Sequence, residues 1–245
     1  MLVNSRGIVL GSLRYSDSSV IARILTEHAG QKAFMVRVGK GRAAMAKASV
    51  LQPLSLVNVA FDHDDRHGLR TPRSLERAAV LHSIPFDTVK SSIAIFMAEV
   101  LGRSLQEETA DPRMFHFLQD CVLRLDAETG PCTNFHLVFL LQLSVFLGCV
   151  PALDDAVDRP YFDLREGVAC DAPPLHPDYL EGTLKDTLVR LADLDMGDHA
   201  TLSIPNEHRR TLLRALIDYY RWHLQGMGLR GRCAVRSPRC YASPC

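Results

Sequence analysis

The chain predicts an α+β fold in two parts, a small five-stranded β-barrel followed by an α-helical domain. The spacing of turn signals up to about residue 75 and the change of hydrophobic period after it carry this expectation. In the first part, short β-rich runs ("SRGIVLGSLRY", "SVIARILTE", "KAFMVRVG", "LSLVNVAFD" and "GLRTPRS") alternate with the breaks "SDSS", "HAGQ" and "HDDRHG". Five short strands in that length suit a small barrel. With 47% hydrophobic residues in 245, the chain can bury a substantial core.

From about residue 88 the period becomes helical. Ile93, Phe96, Met97, Val100, Leu101, Ser104 and Leu105 follow the i, i+3, i+4, i+7 pattern. A second helix opens at "DPRMFHFLQDCVLRLDAE", with Asp111 as N-cap and Pro112 at the first helical position. A third is expected from Thr133 to Gly148, a fourth over roughly 177 to 193, and a fifth after Pro205 through Leu224. The domains are therefore expected at 1–80 and 81–228, with an irregular acidic connection at 151–176 and a disordered tail at 229–245. The longest apolar run, "LVFLLQLSVFLGCV" at 137–150, is 14 residues long and contains Gln142 and Ser144, which predicts a buried helix rather than a membrane span. The start "MLVNSRGIVLG" lacks a signal-peptide pattern, and seven cysteines without repeated spacing fit reduced thiols, so a cytoplasmic protein is expected.

A formal net charge of zero conceals a division along the chain. Residues 1–50 carry eight Lys/Arg against Asp17 and Glu27, a balance of +6. Residues 151–200 stand at −8 and residues 201–245 at +6. A polyanion would meet the two ends and be repelled between them, although each charge run by itself also reads as a solvated face.

The most basic motif is "VRVGKGRAAMAK" at 36–47, where Arg37, Lys40, Arg42 and Lys47 surround two glycines without an acid. A Walker A loop needs glycines five apart followed by Lys and Ser or Thr; here Gly39 and Gly41 are two apart and Arg42 follows. The stretch is therefore a backbone-phosphate track for a nucleic acid or a solvated turn, without nucleotide hydrolysis. Aromatic residues for base stacking are few in the first domain, namely Tyr15, Phe34 and Phe61, so contact with the phosphate backbone should dominate. By alternation Arg6, Arg23 and Arg37 share strand faces with Ile8, Ile21 and Met35, where their stems could edge the barrel core. On the fifth helix Arg210, Arg214 and Arg221 form one stripe, suited to an acidic peptide or simply balancing the acids of the bundle.

Catalytic signals are absent: there is no nucleophile elbow, zinc-protease helix or dinucleotide fingerprint, and no enzyme activity or cofactor is expected. "FDHDDRHG" gathers His63, Asp64, Asp65 and His67, but its place between strands favours a turn. Glu107 and Glu108 are adjacent and would point apart on a helix.

A five-stranded barrel joined to helices points to an OB-fold, whose usual ligands are single-stranded nucleic acids or oligosaccharides. "GIVLGSLRYSDSSVIARILTEHAGQKAFMVRVGKGR" followed by "LQPLSLVNV" resembles the amino-terminal domain of the RecO family of bacterial recombination mediators. "PYFDLREG" at 160–167 and "RRTLLRALIDYYRWHL" at 209–224 resemble its helical domain, so the similarity covers about residues 1–228. The resemblance implies an OB domain and a helical domain, binding to single- and double-stranded DNA, and annealing of complementary strands. It further implies partnership with RecR and with the acidic carboxyl tail of single-stranded DNA-binding protein, in support of RecA loading. The other readings are an OB module for RNA and a protein adaptor. Many members of the family carry a four-cysteine zinc site after the third helix; this chain offers Cys149, Cys170 and His176 there, without a CxxC pair, and no metal is expected. The end "LRGRCAVRSPRCYASPC" also departs from the short Leu-rich finish usual in the family.

Residues 229–245 lack apolar periodicity and include Pro238 and Pro244. Deletion after Gly228 should leave the thermal unfolding midpoint nearly unchanged, as scanning calorimetry of the two lengths would show.

Overall fold

The structure, a computed structural model, describes residues 1–39, 48–62, 68–105 and 110–224. The expected tail at 229–245, the "HDDRH" cluster and Glu107 and Glu108 lie outside those residues. Packing divides the chain into two compact units, Met1–Thr129 and Gly130–Cys245.

The first unit is built on five antiparallel strands, β1 (Leu2–Arg14), β2 (Ser19–Thr26), β3 (Gly30–Arg37), β4 (Leu56–Asp62) and β5 (Ser74–Arg77), in the order β3-β2-β1-β4-β5. Alternation fills the interior: Ala22 and Ile24, Phe34 and Val36, and Val57, Val59 and Phe61 form the core with Val9 and Leu51. Phe34 and Phe61 meet edge to face with ring centroids 5.2 Å apart.

The strands form the expected OB-type sheet, but it is not closed by a continuous ladder. The edge strand β3 meets the segment ahead of β5 at an isolated parallel bridge between Phe34 and Arg70, where Met35 N–H donates to Arg70 O at 2.6 Å and Arg70 N–H to Ala33 O at 3.0 Å. Pro72 explains why the expected strand at 68–74 starts only at Ser74. Proline has no N–H to add to a ladder, so the chain pairs with β3 before it and with β4 after it, where Arg73 N–H donates to Ala60 O at 2.7 Å.

Two helices belong to this unit, α1 (Thr88–Ser104) and α2 (Pro112–Ala127). α2 opens as expected, the Asp111 carboxylate accepting from Arg113 and Met114 N–H, and at the start of α1 the Asp87 carboxylate accepts from Val89 and Lys90 N–H. α1 packs against β1, whose Ile8 and Leu10 are buried on the outer face of the sheet. Lys90 is buried too, because its ammonium donates to Ser83 Oγ at 2.6 Å, Glu128 O at 2.6 Å and Asp126 O at 3.1 Å. The Asp126 carboxylate accepts the backbone N–H groups of His82, Ser83 and Ile84. Although burial opposes ionisation, these bonds hold its pKa below the ordinary carboxylate value.

The second unit contains α3 (Phe135–Phe146), β6 (Tyr161–Asp163), β7 (Val168–Cys170), β8 (Tyr179–Glu181), α4 (Gly182–Ala192) and α5 (Asn206–His223). α3 is the apolar run of the sequence, buried at Phe135, Leu137, Val138, Phe139, Leu140, Leu141 and Leu143. Among the described residues no helix is long and apolar enough to cross a membrane. The connection read as irregular carries β6 and β7, and residues 179–181, read as the start of the fourth helix, form β8 of the sheet β7-β6-β8. The Asp163 carboxylate shapes its turn by accepting from Arg165 and Glu166 N–H, and Arg165 pairs with Asp178 at 2.6 Å while stacking over Trp222 at 4.6 Å.

Arg6 and Glu27 tie the outer face of the first unit to α2. Arg6 donates to both Glu27 oxygens at 2.6 and 2.8 Å and to Gln119 Oε1 at 3.2 Å, and lies over the Phe115 ring at 5.7 Å. Arg6 shares its face with Ile8 as alternation suggested, but that is the outer face of the central strand, toward α2, and not the edge of the barrel core. The Glu27 side chain is 9% exposed, with the His116 and His28 rings 3.3 and 3.8 Å away. Its pKa is lowered, chiefly by the Arg6 hydrogen bond, against the opposing effect of burial. A carboxylate with a depressed folded pKa stabilises the fold fully above its unfolded pKa of about 4.3 and loses that contribution as pH falls through the folded value. Because the Arg6 side chain is 42% exposed, solvent screens the pair, and Glu27→Gln should cost about 1 kcal/mol at pH 7. Urea unfolding should show the gap between the two proteins closing as the pH is lowered below the ordinary carboxylate range.

Candidate nucleic-acid interface

The basic motif leaves the sheet at one end of β3. There the turn between β1 and β2 folds back so that Ser19 O accepts from Tyr15 N–H at 3.0 Å and from Ser16 N–H at 3.1 Å. Ser18 O in turn accepts from Val38 N–H at 2.9 Å and Gly39 N–H at 3.4 Å, which ties the exit of β3 to that turn. Gly39 has φ +78°, in the left-handed region where a side chain would strain the backbone, and a Cβ there would meet nothing within 4 Å. The glycine is needed for direction rather than for space.

Arg37, the last residue of β3, pairs with Ser19 and is exposed on this end of the sheet. Lys40, Arg42 and Lys47, which follow Gly39 in the chain, lie outside the described residues. The chain is described again from Ala48, and Arg77 of β5 donates to Ser49 Oγ at 2.9 Å just beyond.

Of the three aromatic residues considered for stacking, Phe34 and Phe61 are fully buried in the core. Tyr15 is 65% exposed, and so is its neighbour Leu13 at 71%. No motif separates these cases; the alternation of β3 and β4 puts Phe34 and Phe61 in the rows of Val36 and Val59, while Tyr15 stands past the end of its strand. Arg23 is exposed and reaches the α1 backbone, donating to Gly102 O at 3.3 Å.

In the second unit, α5 presents Arg210, Arg214 and Arg221 as exposed residues, with half-buried Leu213 and Ile217 between them. Arg221 is paired with Asp218 at 2.7 Å. The opposite face buries Leu212, Ala215, Leu216, Tyr219 and Tyr220, and the Tyr220 hydroxyl donates to Leu140 O at 2.6 Å. Arg209 is held to the fold, donating to Asn134 Oδ1, Asn206 Oδ1 and Ile204 O. Adjacent arginines thus have different surroundings, which their sequence alone does not distinguish.

Cys149 is buried beyond α3, Cys170 lies on β7, and the His176 ring stands 3.3 Å from the Asp163 carboxylate. The Cys170 thiol is pushed up by burial and by the neighbouring Asp163 and Asp171. Among the described residues no group of three or more His, Cys, Asp or Glu side chains is placed to hold a metal ion.

Two family models match this chain in succession, the N-terminal model of recombination protein O over residues 1–85 and its C-terminal model over residues 85–232. A DNA repair protein RecO of Bacteroides fragilis is 35% identical over 225 residues, 91% of this chain and 93% of the relative. Those of Phocaeicola vulgatus and Flavobacterium johnsoniae are each 32% identical, over 91% and 92% of this chain and 93% and 94% of their own lengths.

Proposed function

This chain belongs to the RecO family of DNA repair proteins, and on that premise we propose that it is a recombination mediator in the cytoplasm that anneals complementary DNA strands. It binds single- and double-stranded DNA and, with RecR, helps RecA load onto DNA coated by single-stranded DNA-binding protein. The observation that carries this reading is the ordered match of both family models along nearly the whole chain. Annealing needs charge neutralisation and alignment of two strands rather than covalent chemistry, so no catalytic residue and no cofactor takes part.

DNA follows the basic end of the first unit, with Arg37, Lys40, Arg42 and Lys47 contacting phosphates. The acidic tail of single-stranded DNA-binding protein meets α5, where Arg210, Arg214 and Arg221 receive its carboxylates and the apolar flank of Leu213 and Ile217 receives its hydrophobic end. The half-buried positions of Leu213 and Ile217 beside exposed arginines support that assignment.

Purified protein should accelerate annealing of complementary strands coated with single-stranded DNA-binding protein, measured by fluorescence transfer between labelled ends. No acceleration, or a preference for RNA over DNA of the same sequence, would overturn the reading. Each neutralised single-strand phosphate contributes a slope of about −0.7 in log K against log salt, so Lys40→Ala with Arg42→Ala and Lys47→Ala should reduce the slope by up to roughly 2, equally on unrelated sequences. Arg210→Glu with Arg214→Glu should weaken an acidic tail peptide at least tenfold by anisotropy, with unchanged circular dichroism, since both residues are exposed.

A further inference from the structure

The sheet of the first unit ends in an open edge at β5. In the order β3-β2-β1-β4-β5 that strand has a neighbour on one side, whereas the opposite edge, β3, is engaged by the bridge to Arg70. Ala78 N–H donates to Leu56 O at 2.8 Å, and the same register pairs Glu76 with Asn58 and Ser74 with Ala60. Backbone groups in an antiparallel pair point alternately toward and away from the partner, so Ser74 and Glu76 turn theirs to β4 while Leu75 and Arg77 turn theirs outward. Among the described residues, the N–H and C=O groups of Leu75 and Arg77 make no hydrogen bond.

Beside this edge, on the outer face of the sheet, lies a polar cleft of about 350 Å³. The register lays it out: Arg6, Asn58 and Glu76 form one row across β1, β4 and β5, and Asn4, Ala60 and Ser74 form the next. Arg6 is committed at the far end of its row, to both Glu27 oxygens and to Gln119. Glu76 is exposed, and its carboxylate has no ion pair or hydrogen bond among the described residues. The arginines around it are engaged elsewhere, Arg73 with Asp62 at 2.9 Å and Arg77 with Ser49 Oγ at 2.9 Å.

We propose that β5 receives an extended segment of a protein partner as a further strand, with an arginine of that segment entering the cleft to pair with Glu76. The proposal goes beyond the DNA reading and does not draw on it. The outward backbone groups of Leu75 and Arg77 supply the ladder, and the side chains at alternate positions of the segment supply selection. On the outer face the segment's residue opposite Glu76 stands about 5 Å away, within reach of a cross-strand ion pair. Arginine suits that place because its planar head carries five donors, and the cleft offers the Glu76 carboxylate with Asn58, Asn4 and Ser74 behind it as acceptors. An unpaired carboxylate repels a phosphate, so the occupant is not a nucleic acid. On the other face Leu75 is half-buried against the core, and apolar residues of the segment extend that contact. The segment therefore alternates apolar residues with arginine.

The full-length protein would be titrated, by fluorescence anisotropy, with a short end-blocked peptide alternating valine and arginine and with one carrying glutamate in place of arginine. Wild type should bind the arginine peptide about tenfold more tightly than the glutamate peptide, and Glu76→Lys should reverse that order. Methylating the backbone nitrogens through which the arginine peptide pairs should also weaken it about tenfold, since the ladder donors are lost. In wild type, the bound arginine peptide should slow hydrogen exchange at the Leu75 and Arg77 amides. Circular dichroism checks that Glu76→Lys is folded, and the exchange measurement needs no variant. If folded Glu76→Lys binds the arginine peptide as well as wild type does, the attraction comes from acids elsewhere on the chain and the proposal is refuted. Failure of wild type to bind the arginine peptide, or exchange at Leu75 and Arg77 unchanged on binding, would refute it as well. No DNA enters these assays, so their outcome is separate from that of the annealing measurement.

Discussion

β1 has to serve two ladders. It pairs with β4 from Leu2 to Ile8 and with β2 from Gly7 to Arg14, so the two partnerships overlap only at Gly7 and Ile8. At that crossover a side chain on Gly7 would come within 2.6 Å of Ile24 Cγ2. Immediately after it, the register shifts between Val9 and Gly11, with Leu10 as the extra residue. A bulge bends a strand and increases its twist, which lets one 13-residue strand enter the core at Val9 and then leave it. The exposed arm of Leu13 to Tyr15 follows from this change of partner, because β4 no longer pairs with that part of β1.

The same geometry sorts the charges of the first unit. Arg6 lies on the part of the outer face facing α2, where Glu27, Gln119 and the Phe115 ring receive it. Arg37 lies at the other end, beside the turn that leads into the basic segment. In the second unit Lys185 is buried, with its ammonium on Ala156 O and Arg159 O, and Arg165 is held by Asp178 and Trp222. The acids of residues 151–200 stay largely at the surface, with Asp154, Asp155, Asp158, Glu166, Asp171, Glu181, Asp186, Asp193, Asp195 and Asp198 exposed, so an approaching polyanion does meet the negative balance read from the sequence.

Much of the fold was legible from periodicity and caps. The first four strands, the Asp111 cap with Pro112, the buried apolar helix and the fifth helix stand close to their expected places, since each is set by local alternation, capping or a continuous apolar run. β5 was displaced because the effect of Pro72 depends on which strand lies on each side. β6, β7 and β8 were missed because strands of three residues carry too little alternation to register.

By itself the sequence determined the order of the first four strands and of the longer helices and the basic ends of the chain, all properties of residue type and near-neighbour spacing. Only the tertiary structure decided that Phe34 and Phe61 are core while Tyr15 is exposed, that Arg209 is held within the fold while Arg210 is exposed, and that the outer face is covered at Ile8 and left open at Leu13. Those outcomes depend on which segments come to lie against one another across tens of residues. A strand's alternation says which side chains share a face, but not what will cover it.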